Sequence, residues 1–492
     1  MTVQARQWAL KGGLDLESPA MSIEGGRTIL SQNYECSLTG GYRRISGYTL
    51  WDGSETPSAV SGSGDILGLW KYNDDLYAFR NSADGSECKM YKSTTSGWTE
   101  INTGVTLAPN GSYNFVNYNF TGSSSTEYMF GVDGVNKAFQ FDGTTFTQIN
   151  TGMTTDTPIH CQQHKNHLFL AFSGGSLQHS GIGDPLSWGL ASGAGEIGVG
   201  TEITSLTSMQ GNSLVVSGEN RINVLYGTSS QDWDMRSFTT ELGVVPETSV
   251  LMDTDLVFFN GVSVTSLQAT QTFGDFVTAS LSSDIASFFS VKESIVRTVV
   301  GVCSNKDKGQ YRIFYSDGSV GVLTLLNKAI VGWSTWRIPD TPARITEGFM
   351  GTSEGKVMKL DEGNSFNGLP IESFLRLPFT SLGQPYKNKR FRKIFVDLDA
   401  ESNAELKLQA DYDYGATSST PLDVPVYGGG GLWDFSSWGE FIWSSTLVST
   451  CSIPLSGSGR NVALLIYHSS TSIPPFTLQG IRVNFTMRGV IR

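Results

Sequence analysis

The sequence predicts an all-β chain: a β-propeller of six or seven blades followed by a C-terminal antiparallel β-sandwich. Three observations carry this. Only 16% of the 492 residues are charged, Gly numbers 56, and Ser and Thr crowd between aromatic and β-branched runs, the composition of many short strands joined by tight turns. An apolar strand following a polar turn recurs at blade length through most of the chain. After Leu369-Pro370 that spacing stops, and longer strands with strict alternation take over.

The first element, residues 1–45, reads as an N-terminal arm and hairpin. Its opening MTVQARQWALKGG lacks an apolar h-region, and no stretch of the chain approaches eighteen consecutive apolar residues, so neither a signal peptide nor a membrane span is expected. The hairpin lies in YECSLTGGYRRISGYTLWDG, Tyr34 to Gly53. Gly40-Gly41 supply the positive φ of a turn, and Tyr42-Arg43-Arg44-Ile45 alternates as a strand. Arg43 and Arg44 therefore point to opposite faces and cannot form one phosphate fork. One is expected to be solvated and the other to salt-bridge across a domain seam; the alternative is a contact between subunits, which makes both assembly-interface candidates.

Residues 46–368 are the propeller. The recurring strands are NDDLYAFRNSADG, STEYMFGVDG, KNHLFLAFSGG, GNSLVVSGEN, DTDLVFFNG, KGQYRIFYSDG and TEGFMGTSEG. With Leu76, Tyr128, Leu168, Leu214, Leu256, Tyr311 and Phe349 as equivalent points, the separations are 52, 40, 46, 42, 55 and 38 residues. They average about 45, one four-stranded blade. Trp98, Phe146, Trp188, Trp233, Trp333 and Trp336 fall between these points, where large side chains would wedge neighbouring blades apart as the sheets splay. A chance spacing of strands in a large sandwich is the alternative. Helix is minor, with Ser283 to Val291 the best candidate.

Residues 369–492 form the sandwich. Lys393-Ile394-Phe395-Val396-Asp397-Leu398 alternates strictly, one face buried and one wet, and further strands follow in LQADYDYG, GRNVALLIYHSS and FTLQGIRVNFTMRGVIR.

The ordered fragments KNKRFRKIFVDLDA, LQADYDYG, WDFSSWGEFIW, GSGRNVALLIYHSS and FTLQGIRVNFTMRGVIR resemble the C-terminal region of the tail nozzle (tail tubular) proteins of short-tailed bacteriophages. GGYRRISGYTLWDG is similar to the hairpin that leads into the propeller of the same family. The resemblance implies a homo-oligomeric, six-fold ring at the distal end of a phage tail, with a central DNA channel closed until infection. Its implied partners are the tail adaptor and other tail proteins, with phage double-stranded DNA passing transiently. The implied location is the virion, after assembly in the host cytoplasm.

Charge and side-chain chemistry bound the remaining function classes. A formal charge of -12 argues against an outer surface that grips nucleic acid, which needs a basic face to release counterions. Cys36, Cys88, Cys161, Cys303 and Cys451 are odd in number and far apart, so neither a disulfide framework nor a zinc knuckle is expected, and a reducing compartment fits. HCQQHKNH places His160, Cys161, His164 and His167 within eight residues. Lys165-Asn166 occupies the turn slot of the repeat, so the cluster reads as a hairpin corner rather than a metal shell. WRIP, Trp336 to Pro339, is similar to a sialidase arginine motif but lies late in the chain. A carbohydrate-active, sialidase-like propeller and a glycan-binding or adaptor propeller stay as the alternatives. Lys387, Lys389, Arg390, Arg392 and Lys393 are basic-patch candidates, read as a solvated strand face or a contact with DNA or an acidic ring neighbour. Trp433, Phe435, Trp438, Phe441 and Trp443 crowd a glycine-rich loop and are assembly-interface candidates. No catalytic residue, cofactor or metal is assigned, and the chain is expected not to be an enzyme.

Overall fold

The computed structural model describes the chain except for residues 1–2, 20, 123–126, 210–212, 270–275, 291–296, 401, 403, 427–448 and 491–492. The described residues make a seven-bladed β-propeller. Blades 1 to 5 are four-stranded antiparallel meanders over residues 63–101, 114–148, 160–198, 203–239 and 250–280. Blade 6 spans 299–337. Blade 7 takes Pro342–Thr346, Phe349–Thr352 and Val357–Leu360 from the end of the ring, and its fourth strand, Tyr48–Leu50, from the start. Lys359 pairs with Thr49, so the ring is locked by backbone hydrogen bonds between its two ends.

The second strand of a blade explains why the repeat is visible in the sequence. Each of the seven reference points falls at or within one residue of the start of the second strand of its blade. These strands are apolar on both faces because both are covered. In His167–Phe172, Leu168, Leu170 and Phe172 pack toward blade 2, while Phe169 and Ala171 pack toward blade 4. The same division repeats around the ring, giving a separate apolar core between each pair of neighbouring blades. Trp233 wedges blades 3 and 4, Trp333 blades 5 and 6, and Trp336 blades 6 and 7. The helical stretch is short, Ala286–Phe289 after a 3-10 turn at Ser283–Ile285.

The sandwich packs two antiparallel sheets over one core that includes Tyr34, Phe391, Ile394, Leu408, Leu464 and Val483. One sheet places Thr477–Val490 between Val3–Ala9 and Lys387–Asp399, with Ser449–Gly459 beyond. The other runs through Leu30–Gln32, Ile371–Arg376, Val462–Ser470, Ala404–Tyr412 and Leu422–Val426. Residues 3–45, read above as an arm, supply strands to both sheets. Their hairpin, Tyr34–Cys36 with Tyr42–Arg44, turns at Gly40 and Gly41 with φ of 95° and 89° and joins the first sheet at Leu478. A Cβ on Gly41 would meet the Leu478 carbonyl oxygen at 2.4 Å, so only glycine fits. Gln32 also pairs in parallel with Thr335 of the outer strand of blade 6, making propeller and sandwich one continuous sheet there.

Trp333 sits at this junction, 1% exposed, with its indole N–H donating to the Leu281 carbonyl at 2.7 Å. Trp333→Ala should cost about 3–5 kcal/mol of stability, read as a lower urea midpoint; a shift below about 1 kcal/mol would show that this contact does not hold blades 5 and 6 together.

Candidate functional site

The arginine pair lies at the seam between the two domains. Arg44 is fully buried, donating from Nη1 to the Ile473 carbonyl at 2.7 Å and from Nη2 to the Asn364 carbonyl at 3.0 Å. It therefore ties the end of the propeller to the sandwich within one chain, through carbonyls rather than the expected salt bridge, and is not available to a second subunit. Burial lowers its guanidinium to about 10. Arg43 points the other way, partly exposed, 3.6 Å from the Glu35 carboxylate. Glu35 is the hub of a larger network. It accepts from Lys308 Nζ at 2.9 Å and Gln310 Nε2 at 3.0 Å, while Lys308 also reaches Asp361 at 2.8 Å and Arg312 holds Asp361 at 2.5 Å. Burial alone would raise Asp361, but the Arg312 and Lys308 charges hold it well below the usual carboxylate range. The Arg312 guanidinium lies 4.6 Å from the Trp336 ring centroid.

The bore of the propeller is lined by the first strand of every blade. Trp70, Asn117, His160, Thr207, Ser304 and Thr346 border a cavity of about 520 Å³. Glu247, between blades 4 and 5, also borders a second cavity of about 60 Å³ with Leu69, Gly301 and Arg344. It adopts a left-handed φ of 60°, a conformation that costs a non-glycine residue about 1 kcal/mol or more. This bore has room for a small molecule.

The histidines separate in space. His160 lines the bore, Cys161 packs between blades 2 and 3, and Lys165 and Asn166, with φ of 48° and 60°, turn the chain between His164 and His167. His179, which lay outside the sequence cluster, joins them: the rings of His164, His167 and His179 stand 6.1, 5.6 and 5.8 Å from Trp233. His164 Nδ1 pairs with the Ser208 hydroxyl at 2.9 Å, and His167 Nδ1 donates to the Ser180 carbonyl at 2.6 Å. The Nε2 atoms of both are buried with no hydrogen-bond partner among the described residues. No group of three or more His, Cys, Asp or Glu among the described residues is placed to hold a metal ion. All five cysteines are buried and unpaired.

The basic strand divides too. Lys389 is wholly buried, its ammonium donating to the carbonyls of Gln384 and Arg460, each at 2.6 Å, and burial lowers it to about 8. It belongs to the sandwich interior, because a bulge between Phe391 and Lys393 breaks simple alternation along the strand. Lys387, Arg390 and Arg392 stay exposed, and Lys393 is half-buried 5.1 Å from the Phe395 ring. Arg337 is exposed and pairs with Asp317 at 3.1 Å. Trp433, Phe435, Trp438, Phe441 and Trp443 lie outside the described residues.

This fold and bore define a β-propeller. No protein-family model matches the chain, and no curated protein matches it. Among solved structures it is similar to a virginiamycin B lyase from Staphylococcus aureus, at 12% identity and TM-score 0.42, covering 61% of this chain and 94% of that one. It is also similar to the WD40 β-propeller domain of Doa1, at 8% identity and TM-score 0.41, covering 64% and 97%. No described helix is long and apolar enough to cross a membrane.

Burial lowers His164 and His468 to about 4, with the neighbouring Lys165 and Arg44 charges acting in the same direction. In the unfolded chain both titrate near 6.5. Native stability from these groups is therefore complete above about pH 6.5 and is lost as pH falls toward about 4, because the unfolded state takes up protons that the folded state resists. Urea midpoints measured across this range should decline, and His164→Gln with His468→Gln should flatten the slope; an unchanged slope would mean the imidazoles ionise in place.

Proposed function

We propose that the chain is a non-enzymatic structural protein of a phage tail, a ring-forming nozzle in which the DNA conduit runs between copies rather than through any propeller. The resemblance at both ends of the sequence motivates this reading. The observation that supports it best is mechanical: the sheet of blade 6 runs through Leu30–Gln32 into the sandwich, so load on one domain passes to the other through backbone hydrogen bonds. A machine that holds pressurised DNA needs such a body. A wall of neutral or acidic side chains lets a polyanion slide, in keeping with the formal charge of -12.

Purified full-length protein should give a native mass of a closed oligomer, expected to be six copies, and electron microscopy should show rings with an axial hole wide enough for a duplex. A monomer at every concentration would overturn the reading. So would hydrolysis of sialosides that is abolished by Arg337→Ala.

A further inference from the structure

We propose that the solvent face of the sandwich sheet built on Lys387–Asp399 and Thr477–Val490 docks onto the acidic propeller of a second copy of this chain, head to tail. The proposal rests on the ring reading above and names the surfaces that would close the ring.

The strand registers place the cations together. Arg390 stands opposite Thr486 and Ser458, Lys393 opposite Asn484 and Pro454, and Phe395 opposite Arg482 and Ser452. Side chains directly opposite share a face. Ile394, Val396, Val483 and Phe485 take the core side, so this set looks outward. Arg392 occupies the bulge and is exposed. Arg390, Arg392, Lys393 and Arg482 form no ion pair among the described residues. The Arg482 guanidinium and the Lys393 ammonium lie 4.4 and 5.1 Å from the Phe395 ring centroid. Arg482 Nε and Asn484 Oδ1 are buried without a hydrogen-bond partner there. The same face carries Asp397, engaged by the Thr450 hydroxyl at 2.7 Å, and Asp399, exposed at the end of the strand opposite Thr477.

The complementary surface is in the same molecule. Residues 46–368 hold 32 Asp and Glu against 18 Lys and Arg, a formal -14, whereas the rest of the chain holds 14 against 16, a formal +2. An acidic propeller and a basic sheet face in one chain attract between copies, and the attraction steers encounter. Two features favour a second copy over a duplex as the occupant. The net charge of the whole chain repels a polyanion. Ala5 and Pro454, opposite Asn484 and Lys393, put apolar surface between the cations, as protein contacts do. Because the two surfaces differ, the contact is heterologous, the kind that closes into a ring when its rotation permits.

The test compares wild type with the triple variant Arg390→Glu, Arg392→Glu, Lys393→Glu by sedimentation velocity at about 50 and about 500 mM salt, a range over which surface electrostatics are screened. Wild type should assemble at low salt and dissociate at high salt. The variant should keep its circular-dichroism melt while associating about a hundredfold more weakly. Mixed one to one with wild type, it should cap growth and give short open oligomers, since it keeps its acidic propeller. Closed rings from the variant at low salt would overturn the docking face and leave the ring reading intact. Wild type monomeric at both salts would overturn the ring reading and this proposal together. Salt-dependent binding of a short DNA duplex that the variant loses, with its assembly unchanged, would assign the face to nucleic acid instead.

Discussion

The backbone ladder made by residues 30–50 is the constraint on which the rest of the molecule depends. Leu30–Gln32 pairs with Phe374–Arg376 on one side and Thr335 on the other. The hairpin after it joins the first sandwich sheet at Leu478, and Tyr48–Leu50 then completes blade 7. One short run therefore occupies edges of blade 6, of blade 7 and of both sandwich sheets, edges that would otherwise template aggregation. The ionic network around Glu35 surrounds this run. Glu35 and Arg312 are desolvated while Lys308, Asp361 and Arg43 keep part of their exposure, so the network adds little net stability over apolar residues, but stripping the partners from either buried charge would leave it uncompensated. They fix where the hairpin sits against blade 6.

Charge is distributed by the same logic. Arg44 and Lys389 are buried cations met by backbone carbonyls rather than by a counter-ion, although Arg44 Nε is left without a hydrogen-bond partner among the described residues. Both would look, from sequence, like surface residues in a basic cluster. The structure spends these side chains on joints, and leaves their neighbours Arg43 and Arg390 toward solvent.

What the sequence made legible follows from locality. The blades were readable because each second strand is a short run apolar on both faces, as in Leu168 to Phe172, so the signal repeats within a short window. Trp333 and Trp336 were readable as wedges for the same reason. Tyr48–Leu50 was not, because a three-residue strand has no period of its own and its partner Lys359 lies at the far end of the ring. His179 was missed since it joins His167 only across a hairpin. The burial of Lys389 was hidden by the bulge, which breaks the alternation on which face assignment relies.

The closure of blade 7 by Tyr48–Leu50, together with the pairing of Tyr42 to Leu478, sets an order of events in synthesis. Apart from the local hairpin of Tyr34–Cys36 with Tyr42–Arg44, these early strands bond to strands made some three hundred residues or more later, so the ring waits for Val357–Leu360 and the sandwich for Thr477–Val490. Loop-closure entropy makes such distant pairings slow. During that wait the unpaired run at 30–50 is a sticky edge, able to complete a neighbour's blade in place of its own. Crowding of nascent copies thus turns a locking strand into a means of exchange between chains.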